Sequence, residues 1–251
     1  MTYDRIFAAL GLVALLLIAA PQPASAQQPG SLLIWPVNPV IEGDARAAAL
    51  WLENPGQSPI TLQVRIFAWA QQAGENVYAP QNDVDGTPPI VSIAPGERQL
   101  IRLTRTTAAP EVAEKPYRIV VDEVPTGTAA AAPGASVRFR MRYSLPLFSH
   151  ARPGDAKVPP AAPAPLTSWR TPTDAEGRYL EIRNAGGGHA RLTDVSFIAG
   201  AKQSPIAKGL LGYVLPGASM RWPLPRDIDA AGDLLATVNG TADLLIERRQ
   251  E

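Results

Sequence analysis

Few side chains in this 251-residue sequence are suited to covalent chemistry, and their spacing works against it. There are two histidines, His150 and His189, and no cysteine. Neither histidine stands at a metal-ligand spacing from the other or from a carboxylate pair, and thiolate ligands are absent, so no metal site is expected. His150 falls in a proline-rich stretch and His189 in a glycine turn, where a histidine is expected to be solvated. Gly186-Gly187-Gly188 leads into a strand-like segment, so it lacks the helix N-terminus that a phosphate cradle needs. No serine occupies a G-x-S-x-G elbow. Asp122 and Glu123 are sequence neighbours, which a strand points to opposite faces, so they make poor acid–base partners. No catalytic residue and no cofactor are expected. The chain reads as a binding protein rather than an enzyme.

The chemistry that does stand out is recognition by a strand. Ser136–Phe148 reads SVRFRMRYSLPLF. Val137, Phe139, Met141, Tyr143, Leu145 and Leu147 share one register, with Arg138, Arg140, Arg142 and Ser144 on the other. Such alternation marks a strand with one apolar and one solvated face. Six apolar positions beside an alanine- and glycine-rich tract are more than one small sandwich needs. The stripe therefore either fills its own core or offers its teeth to another chain. Because the arginines face away from Phe139 and Tyr143, they do not form the shared stacking-and-phosphate surface of a nucleic-acid groove. A formal net charge of zero adds no field toward nucleic acid or anionic lipid.

The elements that must hold this strand are β-strands. Arg5, an apolar run from Phe7 to Ala20 and the small-residue site Ala24-Ser25-Ala26 predict a secretory signal peptide over residues 1–26. That run is shorter than the ~20 residues a helical span needs, and membrane insertion is not expected. An exported chain without cysteine must be held by core burial alone. The 26 prolines and sparse aromatics fit short strands and turns. Strands are predicted at Leu32–Val37, Ala47–Leu52, Thr61–Trp69, Gln99–Thr104, Tyr117–Val121 and Val137–Leu147. Turns are predicted at Glu42-Gly43-Asp44, Asn54-Pro55-Gly56, Ala73-Gly74-Glu75 and Pro95-Gly96-Glu97.

The grammar then repeats. Ala49–Phe67 (ALWLENPGQSPITLQVRIF) has a counterpart in Tyr179–Phe197 (YLEIRNAGGGHARLTDVSF), each with an Asn-led turn between alternating segments. Ser92–Leu103 (SIAPGERQLIRL) matches Tyr213–Leu224 (YVLPGASMRWPL). The expected architecture is all-β, with two immunoglobulin-like β-sandwich domains joined by a Pro-rich linker. The domains are expected at 27–150 and 168–251, with a stiff Pro/Ala linker at 151–167 and a late strand at Ala242–Ile246. The first is expected to have seven strands. Trp35, Trp51, Trp69, Trp169 and Trp222 lie in or beside strands and are expected in cores.

Four segments, in this order and spacing, resemble the periplasmic chaperones of the chaperone–usher pilus pathway, the PapD-like proteins. They are Pro36–Asn54 (PVNPVIEGDARAAALWLEN), Thr87–Leu103 (TPPIVSIAPGERQLIRL), Tyr117–Pro125 (YRIVVDEVP) and the PLF of Pro146–Phe148. Tyr179–Gly187 and Val214–Gly217 carry a weaker match. The resemblance implies a periplasmic, ATP-free chaperone whose partners are pilin subunits and an outer-membrane usher. Subunits in this family lack their last strand, and the chaperone's seventh strand fills the groove. The donor residues it implies here are Val137, Phe139, Met141, Tyr143 and Leu145. Each large side chain buried this way contributes ~1.5–3 kcal/mol. When free, such a stripe could be capped by a second copy of the chain.

The resemblance breaks at one place. Well-studied members hold the subunit's C-terminal carboxylate with an Arg on the first strand and a Lys on the seventh; these positions hold Asn38 and Pro146. Pro36, Pro39 and Pro146 resemble the archaic, Csu-type branch instead. A partly buried carboxylate still needs a cation or donor. The sixth and seventh strands run antiparallel, which brings Arg118, with Lys115 nearby, beside the end of the seventh. Arg118 with Asn38 is the leading anchor, and Arg102 is a further candidate whose structural alternative is an ion pair with Asp122 or Glu123. The competing reading from another class is a secreted two-domain adhesin or carbohydrate-binding module, which would cluster aromatics and carboxylates on loops.

Overall fold

The computed structural model describes residues 32–125, 140–152 and 164–249. The expected signal peptide, linker residues 153–163 and the stripe residues Val137 and Phe139 lie outside them. Every regular element among the described residues is a β-strand.

The first domain packs two sheets face to face. One comprises β1 (Leu33–Trp35), β3 (Ala47–Glu53), β8 (Arg98–Arg105) and β6 (Val84–Thr87), in the order β1-β3-β8-β6. The other runs β2-β10-β9-β4-β5, from β2 (Val40–Ile41), β10 (Arg142–His150), β9 (Glu114–Glu123), β4 (Ile60–Gln72) and β5 (Glu75–Ala79); β7 (Ile90–Ile93) also pairs with β4. Alternation is what fills the space between them. Leu50 and Leu52 of β3, Ile101 and Leu103 of β8, Leu62 and Val64 of β4, and Tyr117, Ile119 and Val121 of β9 all bury one face. Strands appear at all six expected places, although the last runs from Arg142 to His150, starting later than the expected Val137, and β2, β5, β6 and β7 add to the seven-strand expectation. They are short or polar, and too weakly patterned to read alone.

In the second domain one continuous path of strands folds into two layers: β14 (Lys202–Val214), β13 (Ala190–Ala199), β16 (Asp233–Val238), β17 (Thr241–Arg248), β11 (Thr167–Arg170), β12 (Tyr179–Asn184) and β15 (Ser219–Pro223). β17 turns the corner, pairing with β16 along most of its length and with β11 at Glu247 and Arg248. Trp169 is fully buried between the layers, 5.2 Å from the Phe197 ring, and donates its indole N–H to Ile246 O. Glu181, on the outer face, takes charge-assisted bonds from Arg170, Arg221 and Arg249. Burial opposes its charge, yet these three guanidiniums hold its carboxyl down at about 2.

The repeated Asn-led turn is one device used twice. Asn54 Nδ2 donates to Ser58 O and Ile93 O, and its Oδ1 accepts from Gly56 N–H. Asn184 Nδ2 donates to Gly188 O and Val214 O, and its Oδ1 accepts from Gly186 N–H. Each side chain thereby ties a turn to the residue that precedes a hydrophobic-Pro-Gly corner: Ala94-Pro95-Gly96 in one case, Leu215-Pro216-Gly217 in the other. Both asparagines are almost fully buried. Two of the five tryptophans depart from the core expectation: Trp35 and Trp51 stack on each other on an outer face, with Arg98 over Trp51.

Replacing Asn184 by Ala strands two buried carbonyls, and replacing Asn54 strands one buried and one partly buried carbonyl, a loss of about 2–3 kcal/mol in each case. Denaturant unfolding should show this for each variant separately. Unchanged midpoints would mean that these turns form without their side chains.

Candidate functional site

β10 is the strand read as a donor, and its two edges differ. On one side it pairs with β9 along its whole length, from Arg142↔Asp122 to His150↔Glu114. On the other, β2 covers only Phe148 and Ser149. Glu123 N–H donates to Met141 O and Phe148 N–H donates to Pro39 O. By strand alternation, odd-numbered residues of β10 thus bond to β9 and even-numbered ones face β2. Above Phe148 the even-numbered groups have no strand beside them among the described residues. They are the N–H groups of Arg142 and Ser144 and the carbonyls of Arg142, Ser144 and Pro146. Pro146 fits here because its missing N–H would have pointed to the open edge. Arg105 fixes the covered end of this edge. Its Nη2 donates to Gly43 O and Ala45 O and its Nη1 to Ser149 Oγ, pinning the loop after β2 to the end of β10.

The stripe changes character along the strand. Leu147 and Leu145 lie in the first domain's own core, 0% and 6% exposed, and Tyr143 packs on its rim with its Oη accepting the Leu32 N–H. Met141 is 43% exposed. Opposite the stripe, Arg142 and Arg65 both bond Asp122. Burial disfavours the Asp122 charge, but these bonds outweigh it and hold its carboxyl below the ordinary range.

Below the open edge lies the cleft between the domains. Pro146 is level with Arg118 of β9, which is level with Phe67 of β4. This face of the sheet looks away from the core and toward the second domain. The Arg118 guanidinium carbon sits 4.0 Å from the Trp69 ring centroid, 5.8 Å from Tyr78 and 6.0 Å from Tyr213 of the second domain. Its buried Nε–H has no acceptor among the described residues. Aromatic faces support the charge without using its donors, so the cation is held ready for an anion. Trp69 is fixed in turn by its indole N–H to Asn76 Oδ1. Gln71 clamps the second domain, donating to Tyr213 O and accepting from Leu215 N–H, each at 2.8 Å. At the tip of the β4–β5 hairpin, Gly74 (φ 85°) lies against the Arg221 side chain and accepts the Arg221 N–H. A Cβ there would stand 2.9 Å from Arg221 Cγ, which is why the turn needs glycine.

The other anchor candidates separate from Arg118. Lys115 points to the opposite face, as an odd sequence spacing requires, and pairs with Asp83 at 2.6 Å. Arg102 is exposed on the other sheet, level with Ala49 and Thr87, so it does not pair with Asp122 or Glu123. Asn38 is exposed just before β2, and continuing the β2–β10 register by two residues brings it level with Pro146. Trp69, Tyr78, Tyr213 and Gln71 were not expected at a site. Only the Tyr213 segment's match to Ser92–Leu103 hinted that it borders a corner. His150 and His189 contradict their expected solvation: both are half-buried around the Glu114 carboxylate.

Residues 35–154 match the family described as "Pili and flagellar-assembly chaperone, PapD N-terminal domain". This stretch, the first domain, is PapD-like. A chain in the solved structure of the CsuC–CsuE chaperone–tip adhesion subunit pre-assembly complex, from archaic chaperone–usher Csu pili of Acinetobacter baumannii, is 27% identical. The similarity has a TM-score of 0.69 and covers 88% of this chain and all of that one. The Salmonella enterica SafA pilin–SafB chaperone complex (18% identity, TM-score 0.58, 88% of this chain and 95% of that chain) shares the fold. So does the YadV chaperone (18%, 0.56, 86% and 96%). No curated protein sequence matches significantly. The Csu similarity agrees with the archaic-type prolines of this PapD-like sequence.

An orphaned buried donor costs stability, so Arg118 should not be needed for folding. Arg118→Met keeps much of the bulk and removes the orphan; the free protein should unfold at equal free energy or up to ~1 kcal/mol higher. A loss beyond ~2 kcal/mol would make Arg118 a structural residue.

Proposed function

We propose that this PapD-like protein is a periplasmic chaperone that binds pilin subunits by donor-strand complementation and hands them to an outer-membrane usher. The observation that carries the reading is the half-paired β10: one edge is committed to β9, the other is open, and its apolar stripe emerges from the core toward Met141. A subunit lacking a strand has the complementary defect, two unpaired edges around an apolar groove. Val137, Phe139 and Met141 enter that groove, while Tyr143 and Leu145 anchor the donor strand to its own sandwich. Backbone bonds from the open edge give sequence-tolerant pairing, and the side chains give fit.

Arg118 receives the subunit's C-terminal carboxylate in the cleft, with Asn38 as a hydrogen-bonding neighbour. Two features support this: the unpaired Nε–H, and the position of Arg118 level with Pro146 at the foot of the open edge. A carboxylate held there would set the register in which the subunit lies along β10.

Co-purification of a pilin subunit from the periplasm separates these roles. Met141→Asp and Arg118→Met should each lose at least ~10-fold in recovered subunit, since each removes more than ~1.4 kcal/mol of contact, while the free chaperone stays folded. Leu147→Asp should unfold the chaperone itself. Full recovery with Met141→Asp would contradict strand donation; full recovery with Arg118→Met would move the anchor elsewhere.

A further inference from the structure

Glu114 opens β9 at the boundary between the two domains, and its side chain is only 2% exposed. A carboxylate so buried has to be paired. Its partners are the two histidines of the chain, one from each side of the boundary. Oε2 accepts from His189 Nδ1 at 2.7 Å and lies 3.5 Å from His150 Nε2, while Oε1 accepts the backbone N–H of His189 at 3.0 Å. His150 ends β10 of the first domain; His189 sits in the turn before β13 of the second. The other ring nitrogen of His150, Nδ1, lies 3.0 Å from Glu42 Oε2. A neutral imidazole has one N–H and cannot donate to both carboxylates, whereas an imidazolium can.

Among the described residues, the surroundings contain no second acid–base system that would blur this. Arg105 approaches only the His150 carbonyl, at 3.5 Å. Lys115, the next residue along β9, pairs with Asp83, and Arg152 with Asp44. From the second domain, Asn239 Nδ2 donates to His189 O. The His189 ring stacks flat on Phe148, centroids 3.7 Å apart at 1°.

We propose that His150, Glu114 and His189 form a proton-controlled latch between the domains, closed while His150 is an imidazolium and loosened when it is neutral. The bond to Glu114 is the main reason His150 keeps its proton above its ordinary value of 6.5; burial opposes it, and Glu42 adds to it. Burial works against the Glu114 charge, yet the bonds from His150 and His189 outweigh it and hold the carboxyl below its ordinary 4.5. A raised histidine contributes fully below pH 6.5 and loses its contribution as pH rises through its folded value. A lowered carboxyl contributes above pH 4.5 and loses its share as pH falls through its folded value. The latch is therefore closed in mildly acidic solution and opens on the alkaline side. Tyr213 lies 5.9 Å from His189 and also lines the Arg118 cleft, so opening would disturb that cleft. The latch itself stands whether or not subunits bind there.

The absence of cysteine allows a clean spin-label pair on the mature protein through Thr107→Cys and Lys208→Cys, both exposed and on different domains. Pulsed-EPR distances should form one narrow distribution at about pH 5.5 and gain a second, displaced population by about pH 8.5. The midpoint should coincide with the His150 titration followed by NMR. His150→Gln should remove the pH dependence, and His189→Gln should give the broadened distribution at both pH values. Either an unchanged wild-type distribution over this range or a transition that survives in His150→Gln would overturn the latch. A His150 titration at or below pH 6.5 would do the same.

Discussion

A β-strand has two edges, and each carries backbone donors and acceptors that must find partners or stay in water. In this protein β9 takes one edge of β10, and β2 is too short to take the other. Most of what is distinctive about the first domain follows from that shortness. β2 covers only Phe148 and Ser149, where Arg105 ties the loop after it to the end of β10, and the edge above Phe148 stays free. A free edge joined to an apolar stripe is an aggregation hazard in an ordinary protein. Under the proposed function it is a means of pairing with an incomplete sheet.

The second constraint is electrostatic. A guanidinium in a cleft between two sandwiches loses water on several sides, and Arg118 is compensated by ring faces instead of a carboxylate. Rings leave the N–H groups uncommitted. A salt bridge to a resident acid would have quenched them, as Asp83 does for Lys115 and Asp122 does for Arg65. The β4–β5 hairpin serves the same cleft. Gln71 and Gly74 bind the second domain while Trp69 and Tyr78 line Arg118. The relative placement of the domains is thus part of the environment of the cation.

Much of this was legible in the residues. The alternation running into Phe148 pointed to a strand, and the Asn-led turns announced a repeated sandwich; Asn54 and Asn184 make matching bonds in the two domains. Arg118 could be reached by strand order alone, because an antiparallel pair brings the start of one strand beside the end of the other. What stayed hidden depends on contacts between distant segments. β2 is two residues long, and β5 is exposed throughout, so neither has a periodicity to read. Trp35 and Trp51 look like core residues by type, and only the register shows them stacked on an outer face. His150 and His189 are 39 positions apart in the sequence. Nothing local indicates that a glutamate 36 residues before the first of them is buried between both.

The central claim is that the outward groups of β10 are vacant in the free protein and filled by a foreign strand. Amide hydrogen exchange, resolved by residue, reads this directly. The Arg142 and Ser144 amides should exchange rapidly in the free chaperone and become strongly protected when a pilin subunit is bound, while the Leu145 and Leu147 amides, already bonded to β9, are protected in both states. Rapid exchange at Arg142 and Ser144 in the loaded complex would contradict the account.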